Sequence, residues 1–187
     1  NVVLVEDFMK EAVWKASAEI EKRHGHVDMK TAKAIGYSAV KYAILRVSND
    51  KSVIFDWKTA LSFEGDSGPY LQYSLARINS IFRNYGKALP EEIDYSVLQN
   101  NEETDLVLEL ANFASAFKTA LKELSPHIIA NYVYGLTKKF STFYHCHSVL
   151  NAENESLKTA RLALIAAVRQ VILNCFELLG IEPVDEM

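Results

Sequence analysis

Residues 62–78, "SFEGDSGPYLQYSLARI", begin as an acidic, glycine-containing turn and continue as a helix. Asp66 or Ser67 stands where a helix N-cap accepts hydrogen bonds from the first free backbone N–H groups. Pro69 follows in the first turn, where its missing N–H costs little. Gly86 lies beyond the periodic residues, in the place of a left-handed C-cap. The stretch therefore predicts a helix that begins after Ser67 and ends at Gly86.

This predicted helix has two different faces when its residues are placed at about 100° intervals. One face is apolar and consists of Leu71, Leu75, Ile78 and Phe82. A second face, about 150° away, carries Tyr70, Tyr73, Arg77 and Asn84. Another helix could pack on that second face and bury the tyrosines. Alternatively, the rings could stack on unpaired nucleobases, at about 1–3 kcal/mol per base, while the arginine holds a phosphate.

Upstream of the turn, two helical patterns lie between two short apolar runs. The runs "VVLV" (2–5) and "SVIF" (52–55) are too short for helices and predict strands. The helical patterns cover residues 6–23 and 29–45. A strand, two helices and a strand form a crossover unit, so we expect the two strands to be adjacent and parallel.

From Asp56 onward every segment is helical in pattern. Asp56 is expected to cap "WKTALSF", and further helices are predicted over residues 102–123, 126–146 and 156–179. Gly180 ends the last of them. The predicted fold class is mainly α: a helical bundle preceded by a small strand–helix–helix–strand unit.

The charge is unevenly distributed along the 187 residues, whose formal net charge is −4. Residues 68–87 hold three basic side chains and no acidic one, and residues 110–176 hold seven basic against three acidic. Solvated helix faces account for such segments in most proteins. The alternative is a basic surface that holds a polyanion.

Several classes of protein are disfavoured by the composition. Two widely separated cysteines favour a reducing, cytoplasmic compartment over a disulfide scaffold. No apolar run approaches the roughly 20 residues of a membrane span. "HGH" (24–26) and "HCH" (145–147) lack the paired cysteines of a zinc site, so no metal is expected. A cofactor is not expected either, since no glycine-rich phosphate loop occurs. The absence of an initiator Met before Asn1 suggests a portion of a longer protein.

Four ordered motifs resemble those of the arginyl-tRNA synthetase family. "FDWKTALSFEGDSGPYLQYSLARINSIFR" (55–83) carries the tryptophan, "LSFEG", "GPYLQY" and "ARI" of that family in order. "AIGYSAVKYAIL" (34–45), "FYHCHSVL" (143–150) and "LLGIEP" before Met187 resemble further segments of it. The resemblance implies a stem-contact unit over residues 1–66 and a helical anticodon-binding domain over residues 67–187.

The resemblance also implies which side chains meet RNA. Those facing the anticodon loop would be Tyr70, Tyr73, Arg77, Tyr144 and Met187, approached by the turn at residues 62–67. Weaker candidates for phosphate contacts, with solvated faces as the alternative, are Arg83, Lys138, Lys139, Lys158, Arg161 and Arg169. Splayed bases on aromatic platforms are the usual way in which proteins recognise RNA loops.

Two departures from the family pattern affect these expectations. The family places cysteine fifth in "FYxxCxVL", whereas here Cys146 is fourth and His147 is fifth. We therefore expect different packing behind Tyr144. The family usually ends in a basic tripeptide, but this chain ends in "DEM", and the carboxylate of Glu186 would repel a phosphate.

The family keeps its nucleotide-binding fold and ATP signature upstream of the segment that this chain resembles. We therefore expect the C-terminal portion of an arginine–tRNA ligase, whose partners are tRNA(Arg) and the parent's catalytic domain. ATP would serve the parent enzyme, and the chain alone would be inactive. The alternative is a helical protein-interaction scaffold, which requires Tyr70 and Tyr73 to be buried. Its binding affinity should not depend on salt concentration, whereas binding through phosphate contacts weakens steeply as salt rises. An enzyme with Cys146 as its thiol nucleophile is disfavoured, because a cysteine within an aromatic-rich helix is more often an inert core residue.

Overall fold

The computed structural model describes residues 4–187, and the regular structure in that range is entirely helical. The α-helices are α1 (Val5–His24), α2 (Met29–Leu45), α3 (Trp57–Ala60), α4 (Gly68–Tyr85), α5 (Asn101–Glu123), α6 (His127–Cys146) and α7 (Glu155–Leu179). A short 3-10 helix, Tyr95–Val97, lies in the connection between α4 and α5. The prediction of a mainly helical bundle is therefore confirmed.

The predicted strands are absent from the part of the chain that the structure describes. The first, residues 2–5, lies mostly outside the described residues, and Val5 already belongs to α1. The second was wrong: residues 52–56 have no regular secondary structure, and Ile54 is 94% exposed. A β-branched run becomes a strand only where a second strand completes its hydrogen-bond ladder.

Aromatic contacts hold the 52–56 segment in place of a strand ladder. The ring centre of Phe55 lies 4.8 Å from that of Phe8 and 4.7 Å from that of Trp57, both in edge-on geometry. The segment is thus anchored to the start of α1 by edge-to-face pairs, an arrangement that aromatic rings prefer.

The helix boundaries follow from capping chemistry. The predicted helices over 6–23, 29–45, 102–123, 126–146 and 156–179 are confirmed to within one residue at each end. The helix after Asp56 is shorter than predicted, ending at Ala60. Ser67, and not Asp66, caps α4: its Oγ accepts the backbone N–H of Tyr70 at 3.2 Å.

The larger hydrophobic core lies among α4, α5, α6 and α7. Its most deeply buried side chains include Leu71, Leu75 and Ile78 of α4, Phe140 and Phe143 of α6, and Ile165 and Ile172 of α7. The predicted apolar face of α4 is therefore a core face, except that Phe82 is only partly buried.

A smaller core lies between α1, α2 and the last residues of the chain. Its buried members include Ala16, Ile20, Ala32, Ile35 and Val184. Because α2 also sends Tyr42 into the larger core, it joins the two clusters.

Two glycines set the helix crossings around α2. A Cβ at Gly36 would lie 2.8 Å from the backbone of Ala12 in α1. At Gly68, the first residue of α4, it would lie 2.5 Å from the carbonyl oxygen of Ser38. Neither backbone neighbour can yield by such an amount, so α1 and α4 approach α2 closely only because both positions lack a side chain.

The expectation that no apolar run approaches a membrane span does not hold for α7, which is long and apolar enough to cross a membrane by length and composition alone, with a mean hydropathy of 1.8. In the fold it is a core helix, since eleven of its residues are buried against neighbouring helices. Among them is Arg161, whose charge is paired inside the bundle. The hydropathy of α7 is thus explained by its position within the core.

Candidate functional site

Arg77 of α4 lies against two tyrosine rings. Its guanidinium carbon is 4.6 Å from the ring centre of Tyr73 and 4.9 Å from that of Tyr144 on α6. Its Nη2 also donates a hydrogen bond to the Tyr73 hydroxyl. Tyr144 is 39% exposed, and the other two side chains are partly exposed. The structure thus brings these three predicted residues together at the surface.

Tyr70 occupies a different environment from Tyr73. It is half-buried and packs against the larger core, with its ring centre 6.0 Å from that of Tyr134 in edge-on geometry. Burial raises the pKa of its hydroxyl above the usual value. Tyr70 is therefore partly packed, as the helix-packing alternative predicts. It is also partly exposed, as the base-stacking alternative requires.

An open cleft of about 520 Å³ lies beside this arginine–tyrosine cluster. It is lined by Arg23, Phe63, Glu64, Tyr70, Tyr73, Arg77, Ser141 and Met187. We call it the tyrosine cleft. The tyrosine cleft is therefore surrounded by predicted site residues of α4, of the 62–67 turn and of the last position. Tyr144 contacts Arg77, which lines the cleft.

Sequence reasoning missed three residues that line the tyrosine cleft: Arg23, Phe63 as an individual contact, and Ser141. The guanidinium carbon of Arg23 lies 4.2 Å from the ring centre of Phe63. Arg23 lies in the last turn of α1, and nothing in the pattern of that helix indicates a position beside α4. Ser141, three residues before Tyr144, has helical spacing that could have indicated it.

The 62–67 turn is fixed by its own hydrogen bonds and by α2. Ser67 Oγ donates to the carbonyl oxygen of Ser62, and Gly65 adopts φ +77°, which other residues rarely do. The carboxylate of Asp66 accepts from the Tyr42 hydroxyl at 2.6 Å and from Arg46 Nη1 at 2.5 Å. This ion pair holds the turn, and with it the edge of the cleft, in one position.

The last residues of the chain are held along α4 by polar contacts. Gln72 Nε2 donates to the carbonyl oxygen of Glu182 at 2.7 Å, and Asn79 Nδ2 donates to the Asp185 carboxylate at 3.2 Å. Arg83 Nη1 donates to the Asp185 carbonyl oxygen at 3.2 Å. These contacts bring the chain's last residue, partly buried against the smaller core, to the cleft.

Two predicted phosphate contacts, Arg83 and Arg169, lie near this terminal segment. Arg83 also pairs with the Glu186 carboxylate at 3.5 Å, so the acidic end of the chain neutralises it in part. Arg169 Nε donates to Asn79 Oδ1 at 2.6 Å. Neither guanidinium contacts the tyrosine cleft, although both line a neighbouring open groove.

Arg161 requires a correction as a candidate phosphate contact. Its side chain is buried, and its Nε donates to Glu103 Oε1 at 2.7 Å while Nη1 donates to the Ser148 carbonyl oxygen at 2.9 Å. The carboxylate of Glu103 is fully buried. A guanidinium so paired cannot leave its partner without stranding a buried charge, and it is therefore not a surface contact.

The remaining lysines differ in their surroundings. Lys139 Nζ lies 2.6 Å from the Glu109 carboxylate, and Lys158 Nζ lies 2.7 Å from that of Glu155. Lys138 is exposed on α6. The Lys139 pair is part-buried, whereas the Lys158 pair is exposed, and exposed ion pairs contribute little to stability.

His147, which stands where the family pattern has cysteine, makes its contacts with Glu102, Arg161 and Phe143. His147 Nε2 lies 2.9 Å from Glu102 Oε2, and Arg161 approaches its Nδ1 at 3.4 Å. Its ring lies against Phe143, with ring centres 5.6 Å apart. The imidazole therefore joins a group of polar side chains at the start of α5 that also contains Glu102, Glu103 and Arg161.

Two glycines that could have served a phosphate loop have a packing role instead. Gly36 and Gly68 are both used for close helix packing, so neither forms a loop whose N–H groups could cradle phosphates. Within residues 4–187, no three His, Cys, Asp or Glu side chains converge as metal ligands would.

Comparison with known sequences gives a family. The sequence model of the DALR anticodon binding domain matches residues 71–187. Arginine–tRNA ligases of Clostridium beijerinckii and Clostridium acetobutylicum are 46% and 40% identical to the chain over 189 residues. Each alignment covers 100% of the chain and 33% of the relative. The chain thus spans about a third of the length of the curated relatives it matches.

Solved structures agree with these sequence matches. Arginyl-tRNA synthetase of Thermus thermophilus superposes with a TM-score of 0.92 at 31% identity, over 100% of this chain and 32% of that one. The enzyme of Plasmodium falciparum gives 0.86 at 27% identity, over 100% and 34%. Since the family model matches more than half of its residues, the chain belongs to the DALR anticodon-binding domain family, in the form that arginyl-tRNA synthetases carry.

Proposed function

We propose that the chain binds the anticodon loop of an arginine tRNA in the tyrosine cleft. The observation that carries this proposal is the position of Arg77 against Tyr73 and Tyr144 at the surface, beside a cleft that Met187 lines. Two partly exposed rings offer faces on which unpaired bases can stack, at about 1–3 kcal/mol per base. The guanidinium between them supplies a charge for a phosphate.

The same residues suit recognition of a loop better than that of a duplex. Bases in a helical stem are stacked and turn their faces away from protein, whereas loop bases can be splayed out onto aromatic rings. Tyr73 and Tyr144 come from different helices, and both contact Arg77, so one cation positions both platforms.

We infer a second contact region for the stem within residues 1–66. An open groove of about 620 Å³ is lined by Trp14, Lys15, Lys22, Arg23, Trp57 and Lys58, among other residues. The acidic side chain in it, Glu19, is already paired with Arg23 at 2.9 Å. Because Arg23 also lines the tyrosine cleft, this basic groove continues from the proposed loop site. Residues 67–187 would then form the anticodon-binding domain proper.

The parent protein would be a cytoplasmic arginine–tRNA ligase that uses ATP to join arginine to tRNA(Arg). In this proposal the catalytic chemistry belongs to the part of the parent outside this chain. The chain's contribution is to hold the anticodon and so orient the acceptor end toward the catalytic domain.

A helical protein-interaction scaffold is the competing function, and one observation favours it. Helix α5 exposes Val107, Leu108 and Leu121, and its C-cap exposes Leu124, with exposed fractions between 47% and 77%. Such a surface suits a protein partner. It lies outside the tyrosine cleft. The scaffold hypothesis required both Tyr70 and Tyr73 to be buried, whereas Tyr70 is half-buried and Tyr73 is partly exposed.

The proposal is tested by fluorescence anisotropy with a labelled anticodon stem-loop of an arginine tRNA. We expect tighter binding than for the same stem-loop with its middle anticodon base changed, and a steep loss of affinity as salt rises. The matched control is a stem-loop with a base pair inverted in the stem, which preserves charge and shape. Equal affinity for all three RNAs would remove the anticodon specificity, and salt-independent binding would favour the scaffold.

A further inference from the structure

A second concavity, of about 360 Å³, adjoins the tyrosine cleft and shares the side chains of Phe63 and Met187 with it. Its remaining apolar wall is formed by Ile20 of α1 and Ile35 of α2. The volume is within the range of small-ligand pockets, roughly 300–1,000 Å³. We call it the acidic pocket because of the groups at its rim.

The rim of the acidic pocket offers hydrogen-bond acceptors. Asp28 and Glu186 contribute carboxylates, Thr31 contributes a hydroxyl, and His26 contributes an imidazole. Asp28 is the N-cap of α2: its carboxylate accepts from the Thr31 hydroxyl at 2.8 Å and from the Thr31 N–H at 2.9 Å. Since that hydroxyl already donates, its oxygen faces a ligand as an acceptor. Hydrogen bonds from Thr31 hold the pKa of Asp28 below its usual range, so the carboxylate is charged at neutral pH.

These groups select the chemistry of an occupant. A phosphate is disfavoured, because the Asp28 carboxylate would repel it, as would that of Glu186, which Arg83 neutralises only in part. A flat apolar group that carries N–H donors at one edge fits, since its faces meet Phe63 and the aliphatic wall while its donors meet the rim. Nucleobases have this form: cytosine, adenine and guanine carry amino groups, and carboxylates accept from them.

Continuity with the tyrosine cleft favours a base over an unrelated ligand. Phe63 and Met187 separate the two concavities and line both. Arg23, at 4.2 Å from the Phe63 ring centre, supplies a cation on the cleft side. A single RNA strand whose backbone passes this partition could place one base in each concavity.

We propose that the acidic pocket binds a second unstacked nucleobase of the same RNA loop, through an edge that presents amino or ring N–H donors. This inference rests on the proposed function, since it presupposes that an RNA loop occupies the tyrosine cleft.

The test is an abasic scan of the loop, in which each loop nucleotide in turn lacks its base and affinity is measured by anisotropy. Three proteins are compared: the unmodified chain, Thr31→Phe, which fills the acidic pocket, and Tyr144→Ala, which removes a ring at the tyrosine cleft. Thr104→Phe is the matched control, because this exposed threonine stands in the first turn of α5. Circular dichroism checks the fold of each protein.

We expect at least two loop positions at which loss of the base weakens binding about 5- to 150-fold, the range given by stacking energies. At one position Thr31→Phe abolishes the penalty while Tyr144→Ala preserves it, and at another the reverse holds. If only Tyr144→Ala abolishes a penalty, the acidic pocket is empty in the complex and the proposed function survives. If the chain binds no stem-loop, the proposed function itself fails.

Glu186→Gln is a second variant of the acidic pocket, to be used if Thr31→Phe disturbs α2. Glu186 has a side chain that is 76% exposed, so this substitution leaves the fold intact. At the position assigned to the acidic pocket, removal of the base's amino group should weaken binding to the unmodified chain more than to Glu186→Gln. Equal losses in both proteins would contradict a role for the carboxylate, and preference for a basic peptide over the stem-loop would assign the pocket to a protein partner.

Discussion

Arg77 illustrates how one side chain can organise a surface. Its guanidinium contacts Tyr73 on its own helix, one turn earlier, and Tyr144 on α6. A planar cation on two rings gains from both contacts, at about 0.5–1 kcal/mol each for exposed sites. Lysine could not replace it equally, because its ammonium is a compact, strongly hydrated charge without a flat face. The contacts hold the tyrosines in fixed orientations before any ligand arrives, which lowers the entropic cost of binding.

Tyr144→Ala is the residue-scale prediction. We expect stem-loop affinity to fall roughly 5- to 150-fold, because a stacking platform is lost. The helical circular dichroism signal should persist, since Tyr144 is 39% exposed. Tyr95→Ala is the control: that tyrosine is 60% exposed and lies in the short 3-10 helix outside the cleft. A similar loss of affinity in both variants would argue against a specific role for Tyr144.

At the scale of elements, α2 decides how the two cores meet. Its N-terminal half packs with α1 in the smaller core, and its C-terminal half sends Tyr42 beneath the 62–67 turn, where it donates to Asp66 at 2.6 Å. Burial and the Asp66 hydrogen bond raise the pKa of Tyr42, so the hydroxyl remains a donor. Close approach at Gly36 and Gly68 makes both packings possible. The position of the cleft thus depends on how closely α1 and α4 cross α2.

Gly68→Ala is the element-scale prediction. The new Cβ would lie 2.5 Å from a backbone oxygen, so α2 and α4 must separate. We expect a loss of about 1–3 kcal/mol in the free energy of unfolding, as for overpacked cores.

Gly135→Ala is the matched control for this change, measured in the same urea titration. It lies inside α6, and its Cβ would meet only Glu109 Oε1, at an ordinary 3.8 Å. Alanine there should stabilise the protein by about 0.5–1 kcal/mol, because glycine disfavours helix interiors. Equal effects of the two substitutions would refute the packing argument.

At the scale of the molecule, charge is separated although the net charge is −4. The groove along α1 is basic, the tyrosine cleft contains two arginines, and the pocket beside it is acidic. An RNA would therefore meet cations along its backbone and acceptors at one base. Such an arrangement would steer a polyanion toward one face, although the net charge of the protein is negative.

The double substitution Lys22→Ala and Lys58→Ala tests the basic groove. Both lysines are exposed and line it. If each contacts a phosphate, the salt slope of stem-loop binding should fall by about two, while the preference for the correct anticodon is unchanged. Lys118→Ala with Lys122→Ala, two exposed lysines on α5, is the control and should leave the slope as it was. A reduced anticodon preference would instead place these lysines at the loop.

The sequence predicted the helices well and the contacts between distant segments less well. Helical periodicity and caps are local signals, so boundaries such as 29–45 could be predicted to the residue. The 52–55 strand was wrong because a strand depends on a distant partner. Arg161 was misjudged for a related reason: its partner Glu103 stands 58 residues away, and no local pattern links them.

The sequence by itself determined the helical elements, the family motifs, and the presence of tyrosines and arginine on one face of α4, because these depend on neighbours within a few residues. Only the tertiary structure decided which of those groups share a surface. Tyr144 and Met187 reach Arg77 and the cleft through packing between α4 and α6 and through the polar contacts of the last residues. Such contacts depend on side-chain packing across the whole bundle, whose geometry is set by long-range complementarity and is not written in any single segment.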